Sequence, residues 1–302
     1  MESHGFLPIM KSRILFFLLA SLFCGTSEAD IKTASGAEPA ASKTDFIRFV
    51  ENDQGASLQT AIASYVSPTG VIVDLIGAVH IADKKYFDAL NLRFKSYDAV
   101  LYELVGRPIE QRTEMKVADG NAKLQWLGQM QETMRKKLAL ESQLQCIDYK
   151  APNFVHADMS TEGFLDTQKD KKENFLTLWM KAAIASSVTA EPDKEEPSMV
   201  EFLAVLMRED NASELKLMVG REFDRVENLM AGIESGDGTV IIGERNRHAL
   251  EVLKKQIDAG KKQLAVFYGA AHFPDMEQRL LKQGYKLQKT EWLTAWDLPN
   301  EE

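Results

Sequence analysis

The string Gly-Ala-x-His occurs twice in this chain, each time directly behind an apolar run, and that repetition constrains the fold more than any other feature. The first copy is Gly77-Ala78-Val79-His80, after Val71-Ile72-Val73-Asp74-Leu75-Ile76. The second is Gly269-Ala270-Ala271-His272, after Leu264-Ala265-Val266-Phe267-Tyr268. Short, nearly continuous apolar runs read as central strands covered on both faces. A helix-like stretch follows each copy, then a short run ending in glutamate: Ala99 to Glu103 in the first unit, Lys286 to Glu291 in the second. The expectation is an α/β (α+β) chain in which two pseudo-symmetric β-α-β-type repeats form one mixed central sheet. Two imidazoles would then face one crevice.

The segments around the repeats fill in this plan. Phe46 to Glu51 and Leu58 to Val66 read as strands, and Ser67-Pro68-Thr69-Gly70 as the turn into the run at 71–76. From Asp83 the pattern turns helical, with Tyr86, Phe87, Leu90 and Phe94 on one face and Asp83 as the N-cap or a first-turn acid. A crossover helix makes the strands before His80 and Glu103 parallel neighbours. Their carboxyl ends then share the sheet edge where open α/β folds place ligands. Residues 107 to about 235 carry long amphipathic patterns and few strand signals, so they read as a helical insertion between the two halves, in the manner of a lid. Glu191 to Pro197 is a charged, proline-bounded loop within it, and Asn153 to Ser160 a short extended run entering a helix capped by Asp158 or Ser160. Beyond the loop Ser235 to Gly238, a helix through Glu244-Arg245-Asn246 puts Ile242, Asn246, Leu250, Leu253 and Ile257 on one apolar stripe. A buried asparagine amide there needs partners. Ala259-Gly260 supplies a helix stop.

The N-terminus reads as an export signal over 1–29. Lys11 and Arg13 are the basic n-region, and Ile14 to Phe23 is an apolar run too short to span a bilayer. Ser27-Glu28-Ala29 fits a small-x-small cleavage site, which starts the mature chain at Asp30 and its single domain near Asp45, after a flexible leader over 30–44. The product would be periplasmic or secreted. Lipidation at Cys24 is the weaker alternative, because bulky Phe23 precedes it. Cleavage leaves only Cys146, so the fold is held without an intramolecular disulfide. Cys146 sits in an apolar setting and reads as a small buried hydrophobe. A net charge of -9, from 36 basic and 45 acidic residues, argues against nucleic acid as a partner. No stable membrane span is expected after cleavage.

The chemistry follows from the repeat. A glycine where a strand turns sharply avoids a Cβ clash, and a histidine three residues on sits at a helix N-terminus, which favours neutral imidazole. Neutral imidazole binds divalent metals. His80 and His272 with Glu103 would suit Zn, Mn or Co with open positions, able to generate hydroxide near neutral pH. Glu103 alternatively serves as a general base, or merely caps a helix. Arg245 could hold an oxyanion or a substrate carboxylate, or simply pair with Glu244 or Glu227. His156 with Asp158 reads as a capping turn rather than a ligand pair, and His248, one turn from Glu244, as solvent-facing.

Gly77-x-x-His80, Glu103 after the next strand, Glu244-Arg245-Asn246 and Gly269-x-x-His272, in that order and spacing, resemble the TraB/TIKI/GumN family, which belongs with the erythromycin-esterase-like and ChaN-like proteins. The resemblance covers most of 45–297. It implies two β-α-β repeats around a helical region and a metal-dependent hydrolytic site of two histidines, a glutamate and an arginine. Relatives in this superfamily are linked to peptide cleavage, antibiotic ester hydrolysis, pheromone shutdown or haem binding. Glu291 lies in a polar strand and takes no catalytic role. The reading is an exported metal-dependent hydrolase acting on a peptide or small-molecule substrate. His80, Glu103 and His272 would hold the ion, Arg245 would stabilise charge and Asn246 would orient the site. The alternatives are non-covalent haem binding, with Tyr268 beside the second motif, or partner binding without catalysis.

Overall fold

The structure, a computed structural model, describes residues 44–109, 132–170, 204–205, 207–208, 211–221 and 240–300. The expected signal segment, nearly all of the leader, and large parts of the helical insertion, including the loop 191–197, lie outside the described residues. Among the described residues no helix is long and apolar enough to cross a membrane.

The architecture is α/β around one mixed seven-stranded sheet. Its strands are β1 (Ile47–Asn52), β2 (Gly55–Val66), β3 (Ile72–Ala78), β5 (Ala99–Tyr102), β7 (Phe154–His156), β8 (Gln263–Gly269) and β9 (Lys286–Pro299). A separate two-stranded ribbon pairs β4 (Ile81–Ala82) with β6 (Glu141–Ser142). The long strand β2 organises one half. It pairs antiparallel with β9 along its whole length, while β1 takes Gly55–Thr60 and β3 takes Ile62–Val66. The other half is parallel, in the order β3, β8, β5, β7.

The expected runs became strands because their alternation, or continuous apolarity, matches what covers them. The β3, β8 and β5 runs are buried on both faces, as central parallel strands require. Helix α1 (Lys84–Phe94) buries Tyr86, Phe87, Leu90 and Phe94, the face read from spacing; α2 (Gln143–Cys146) and α3 (Thr161–Asp170) follow it in the chain. Helix α1 lies against one side of the sheet, where Tyr86 meets Thr60 at 3.0 Å. Helix α5 (Phe273–Lys282) covers the other side. There Tyr65, an odd number of residues along β2 from Thr60, donates to Glu277 at 2.7 Å, and Phe46 packs on Phe273. Asp83 precedes α1 but caps nothing with its side chain. Its carboxylate instead accepts from Lys216 Nζ and the Asp297 backbone, tying α1 to β9 and to the 211–221 segment.

Three sequence expectations change. The strands before His80 and Glu103 are parallel but not neighbours, because β8 is inserted between β3 and β5. The second half-strand of the chain fills the gap that the first crossover leaves. The pseudo-symmetry is also looser than the repeat suggests. The register pairs Ala78 with Gly269, so the motifs are staggered by one residue. His80 leads into β4, whereas His272 closes a 3₁₀ turn, Ala270–His272, that runs straight into α5. Finally, Gly77 is needed for closeness and not for a strained turn. A Cβ there would stand 3.2 Å from the carbonyl oxygens of both Ala61 and Phe46, where β1 hands over to β3 along β2.

Those two neighbours are backbone atoms held in a sheet, so they cannot rotate away. Gly77→Ala is therefore expected to destabilise the fold by about 1–3 kcal/mol, the usual range for overpacking. Chemical denaturation measures this, and an unchanged midpoint would refute the close-approach account.

Candidate active site

The carboxyl ends of the four parallel strands point to one edge, and each delivers one polar group there. His80 follows β3, Glu103 follows β5, Asp158 follows β7, and the 3₁₀ turn to His272 follows β8. A fifth element closes the arrangement. A π-turn, Val240–Glu244, feeds helix α4 (Arg245–Asp258), whose first two residues, Arg245 and Asn246, are both buried. Ile242, Asn246 and Leu253 are buried along its inner stripe, as the spacing predicts. Gly260 ends the segment at φ +91°, the backbone conformation for which a C′ glycine is suited.

Arg245 is the hub. Its Nε and Nη2 donate to the two oxygens of Asp158 at 2.9 and 2.5 Å. Nη2 also donates to Glu103 Oε1 at 2.7 Å, and Nη1 lies 3.4 Å from His272 Nε2. A cation at a helix N-terminus opposes the helix dipole, so the two carboxylates offset that cost as well as the cost of burial. The pairing expected with Glu244 does not occur. Glu244 bonds Arg247 instead, and Glu227 lies outside the described residues.

Glu103 is engaged at both oxygens, the second by the Gly269 backbone N–H at 2.7 Å. The glycine of the second motif therefore holds the carboxylate of the first unit. Burial pushes the Glu103 carboxyl up, but Arg245, then His272 and His80, outweigh it and hold the group well below the ordinary carboxylate range. Burial lowers the affinity of Arg245 for its proton, yet Asp158 and Glu103 keep it charged throughout.

Each histidine is oriented by an amide. His272 Nδ1 meets Asn246 Oδ1 at 2.6 Å, while Asn246 Nδ2 donates to His272 O and to Asp275 Oδ2. Those two donations assign the amide, so its oxygen accepts and the His272 proton belongs on Nδ1. Arg279 in turn bonds Asp275 at 2.7 Å. His80 Nδ1 lies 3.3 Å from Gln143 Oε1, and Gln143 Nε2 donates to Tyr149. Gln143 Oε1 faces the ring and accepts from His80 Nδ1, which leaves His80 Nε2 as the acceptor; the Tyr149 hydroxyl can donate or accept, so it does not assign this amide as the two acceptors assign Asn246. Burial also pushes the His80 pKa down, which favours the neutral ring; Glu103 and Gln143 pull the other way and Arg245 and His272 add to the lowering.

The structure thus gathers Glu103, Arg245, Asn246 and His272 into one bonded network, with His80 within electrostatic reach of it. It adds three residues whose roles sequence reasoning missed: Asp158, Gln143 and Asp275. Asp158 was visible only as an acid ending a short extended run, and Asp275 as a first-turn acid of α5. Nothing in the sequence marks Gln143. Ser160 is the residue that caps the next helix, accepting from Gly163 N–H at 3.0 Å. His156 bonds Leu104 O, and Glu291 forms ion pairs with Arg93 and Lys289. Tyr268, the possible haem ligand, is wholly buried and donates its hydroxyl to Ala157 O.

The divalent ion expected on His80, Glu103 and His272 meets a specific obstacle. Arg245 bonds Glu103 Oε1 and approaches His272 Nε2, two atoms that themselves lie 3.5 Å apart, so a guanidinium already takes the lone pairs of two of the three donors. Among the described residues no three His, Cys, Asp or Glu side chains converge as an ion-holding group. In this arrangement the guanidinium occupies positions an ion would need, and the chemistry proposed below is derived from the side chains alone. No family model, curated protein or solved structure matches this chain.

Two outcomes follow from this network. Asp158→Asn leaves Arg245 short of one counter-charge in a buried site, and is expected to destabilise the protein by about 3–5 kcal/mol; a loss under about 1 kcal/mol in urea denaturation would show that the pair is not the hub. The second outcome concerns pH. A histidine whose folded pKa is lowered contributes stability above its unfolded value near 6.5, lost as pH falls through it. A lowered glutamate does the same beginning at 4.5. Unfolding free energy should therefore fall from about pH 7 to pH 5, and His80→Gln should flatten that part of the curve. A slope unchanged by His80→Gln would refute the assignment.

Proposed function

We propose that the chain is a hydrolase of peptide or amide bonds working at the edge formed by His80, Glu103, Arg245 and His272. The observation that supports it best is the pair of amide-oriented imidazoles beside a buried arginine, set at the carboxyl ends of parallel strands. His80 is the more accessible ring, only partly buried where His272 is 4% exposed. It is the general base, taking a proton from the attacking water at Nε2. Its lowered pKa keeps it neutral and able to accept at pH 7. Arg245 stabilises the negative charge that develops on the carbonyl oxygen, in a site where burial strengthens each charge interaction. Asp158 and Glu103 hold the guanidinium in place. Asn246 fixes the His272 ring, so that its Nε2 faces Arg245 and Glu103.

The resemblance to the TraB/TIKI/GumN family supports hydrolysis and the same residues, and it implies a divalent ion, Zn, Mn or Co, on His80, Glu103 and His272. The basic and apolar pattern over 1–29 supports export, to a periplasm or beyond the cell, with a peptide or another small molecule as substrate.

The test is turnover of a panel of peptide and amide substrates by the wild type, His80→Ala and His272→Ala, alongside bound-metal analysis of each protein. Loss of a general base should lower kcat by about 10²–10⁴-fold in His80→Ala, with thermal unfolding confirming a folded protein. Intact turnover in both variants would sink the assignment. Near-stoichiometric Zn, Mn or Co in the wild type, lost when both histidines are replaced, would overturn the arginine-centred version and restore an ion on His80, Glu103 and His272.

A further inference from the structure

A second polar site lies at the other end of the same strands. Asp74 interrupts the apolar run of β3, and its cross-strand partner in β2 is Ser64. The two side chains therefore stand side by side on the face covered by α1. Both are buried, at 5% and 3% exposure. Asp74 Oδ2 is well served: Tyr97 donates to it at 2.5 Å and Arg93 Nη2 lies 3.8 Å away. Asp74 Oδ1 and Ser64 Oγ are different. Among the described residues they are the two buried side-chain polar atoms that no protein group hydrogen-bonds. Leaving buried polar atoms so costs about 1–3 kcal/mol each, which natural folds accept mainly where something else supplies the partner.

Both residues line one cavity of about 280 Å³, just below the roughly 300–1,000 Å³ of drug-sized pockets. Ile72 and Gln263 begin β3 and β8, so the cavity sits at the amino edge of the parallel strands. Along β3, four residues at ~3.3 Å each, or about 13 Å, separate Asp74 from Ala78 at the strand's carboxyl end, and His80 lies beyond it. The site is thus distinct from the histidine edge.

The chemistry narrows the ligand. A carboxylate oxygen only accepts, so whatever meets Asp74 Oδ1 must donate, and an ammonium does so with complementary charge. The mouth carries both signs. Arg93 and Lys289 line it beside the carboxylate of Glu291, and Arg93 also pairs with Asp74, so two cations meet two carboxylates. A ligand with one charge of each sign preserves that balance, whereas a polycation does not. The Arg93 guanidinium stands 3.8 Å from Asp74, so positive and negative protein groups are separated by about the span of one amino acid's charged head. We infer that this cavity binds a free α-amino acid, its ammonium held by Asp74 Oδ1 and Ser64 Oγ and its carboxylate by Arg93 and Lys289. This inference is independent of the hydrolase reading.

Isothermal titration calorimetry of the purified protein with glycine, L-serine and L-leucine tests it, with ethylamine and acetate as controls that carry one charge each. At least one amino acid should bind, and both controls should bind more weakly. Asp74→Asn and Ser64→Ala should each weaken binding about tenfold or more, the worth of one hydrogen bond to a charged group. Replacing both His80 and His272 by alanine should leave binding unchanged. Ser64→Ala removes one oxygen and keeps the test open if Asp74→Asn does not fold. Binding by none of the three amino acids, equal binding of ethylamine, or affinity untouched by either substitution overturns the proposal.

Discussion

The guanidinium of Arg245 sits in the interior at the start of a helix, where both burial and the helix dipole work against a positive charge. It is stable there because Asp158 grips it through two parallel bonds and Glu103 through a third. Those partners stand 87 and 142 residues away in sequence. One cation thereby joins the ends of β7 and β5 to the start of α4, and through Glu103 it reaches the Gly269 backbone at the end of β8. The rest of the candidate site inherits its geometry from this junction. Asn246 is adjacent to Arg245 on α4, and it is Asn246 that orients His272.

The two histidines share a motif but not a setting. His80 enters a short extended ribbon and leans on Gln143, which opens the short helix directly after the ribbon's other strand. His272 closes a 3₁₀ turn at the head of α5 and leans on Asn246, which is itself braced by Asp275 and Arg279. The one-residue stagger between the motifs accompanies this difference. In each case an amide meets Nδ1, but only the Asn246 amide has its orientation assigned by acceptor-only partners, His272 O and Asp275.

Polar groups within a buried sheet are where local rules bend, and such places often have a use. This sheet has two. At the carboxyl edge Asp158 and Glu103 share the guanidinium of Arg245, with His80 within electrostatic reach. At the amino edge, Asp74 and Ser64 stand in apolar strands, each with an oxygen that finds no hydrogen-bond partner among the described residues. Their shared face, opposite to that of Tyr65 and Glu277, separates this polar cluster from the satisfied one under α5.

Strand and helix identities were legible because they rest on short-range pattern. The apolar runs at 71–76, 99–104 and 264–268 are continuous where two faces are buried. Tyr86, Phe87, Leu90 and Phe94 repeat at helical spacing. The residues of the candidate site were legible too, since a repeated Gly-x-x-His and a buried-stripe Arg245-Asn246 are unusual for any surface. What joins them was not. That β8 slips between β3 and β5 follows from strand pairing across nearly two hundred residues, which no local pattern encodes. Asp158 as partner of Arg245, Gln143 as partner of His80, and the reach of the guanidinium to both Glu103 and His272 are likewise decided by tertiary packing. A charge in a sequence carries no record of which distant charge will neutralise it, so the chain determined which groups are present and the fold decided which of them meet.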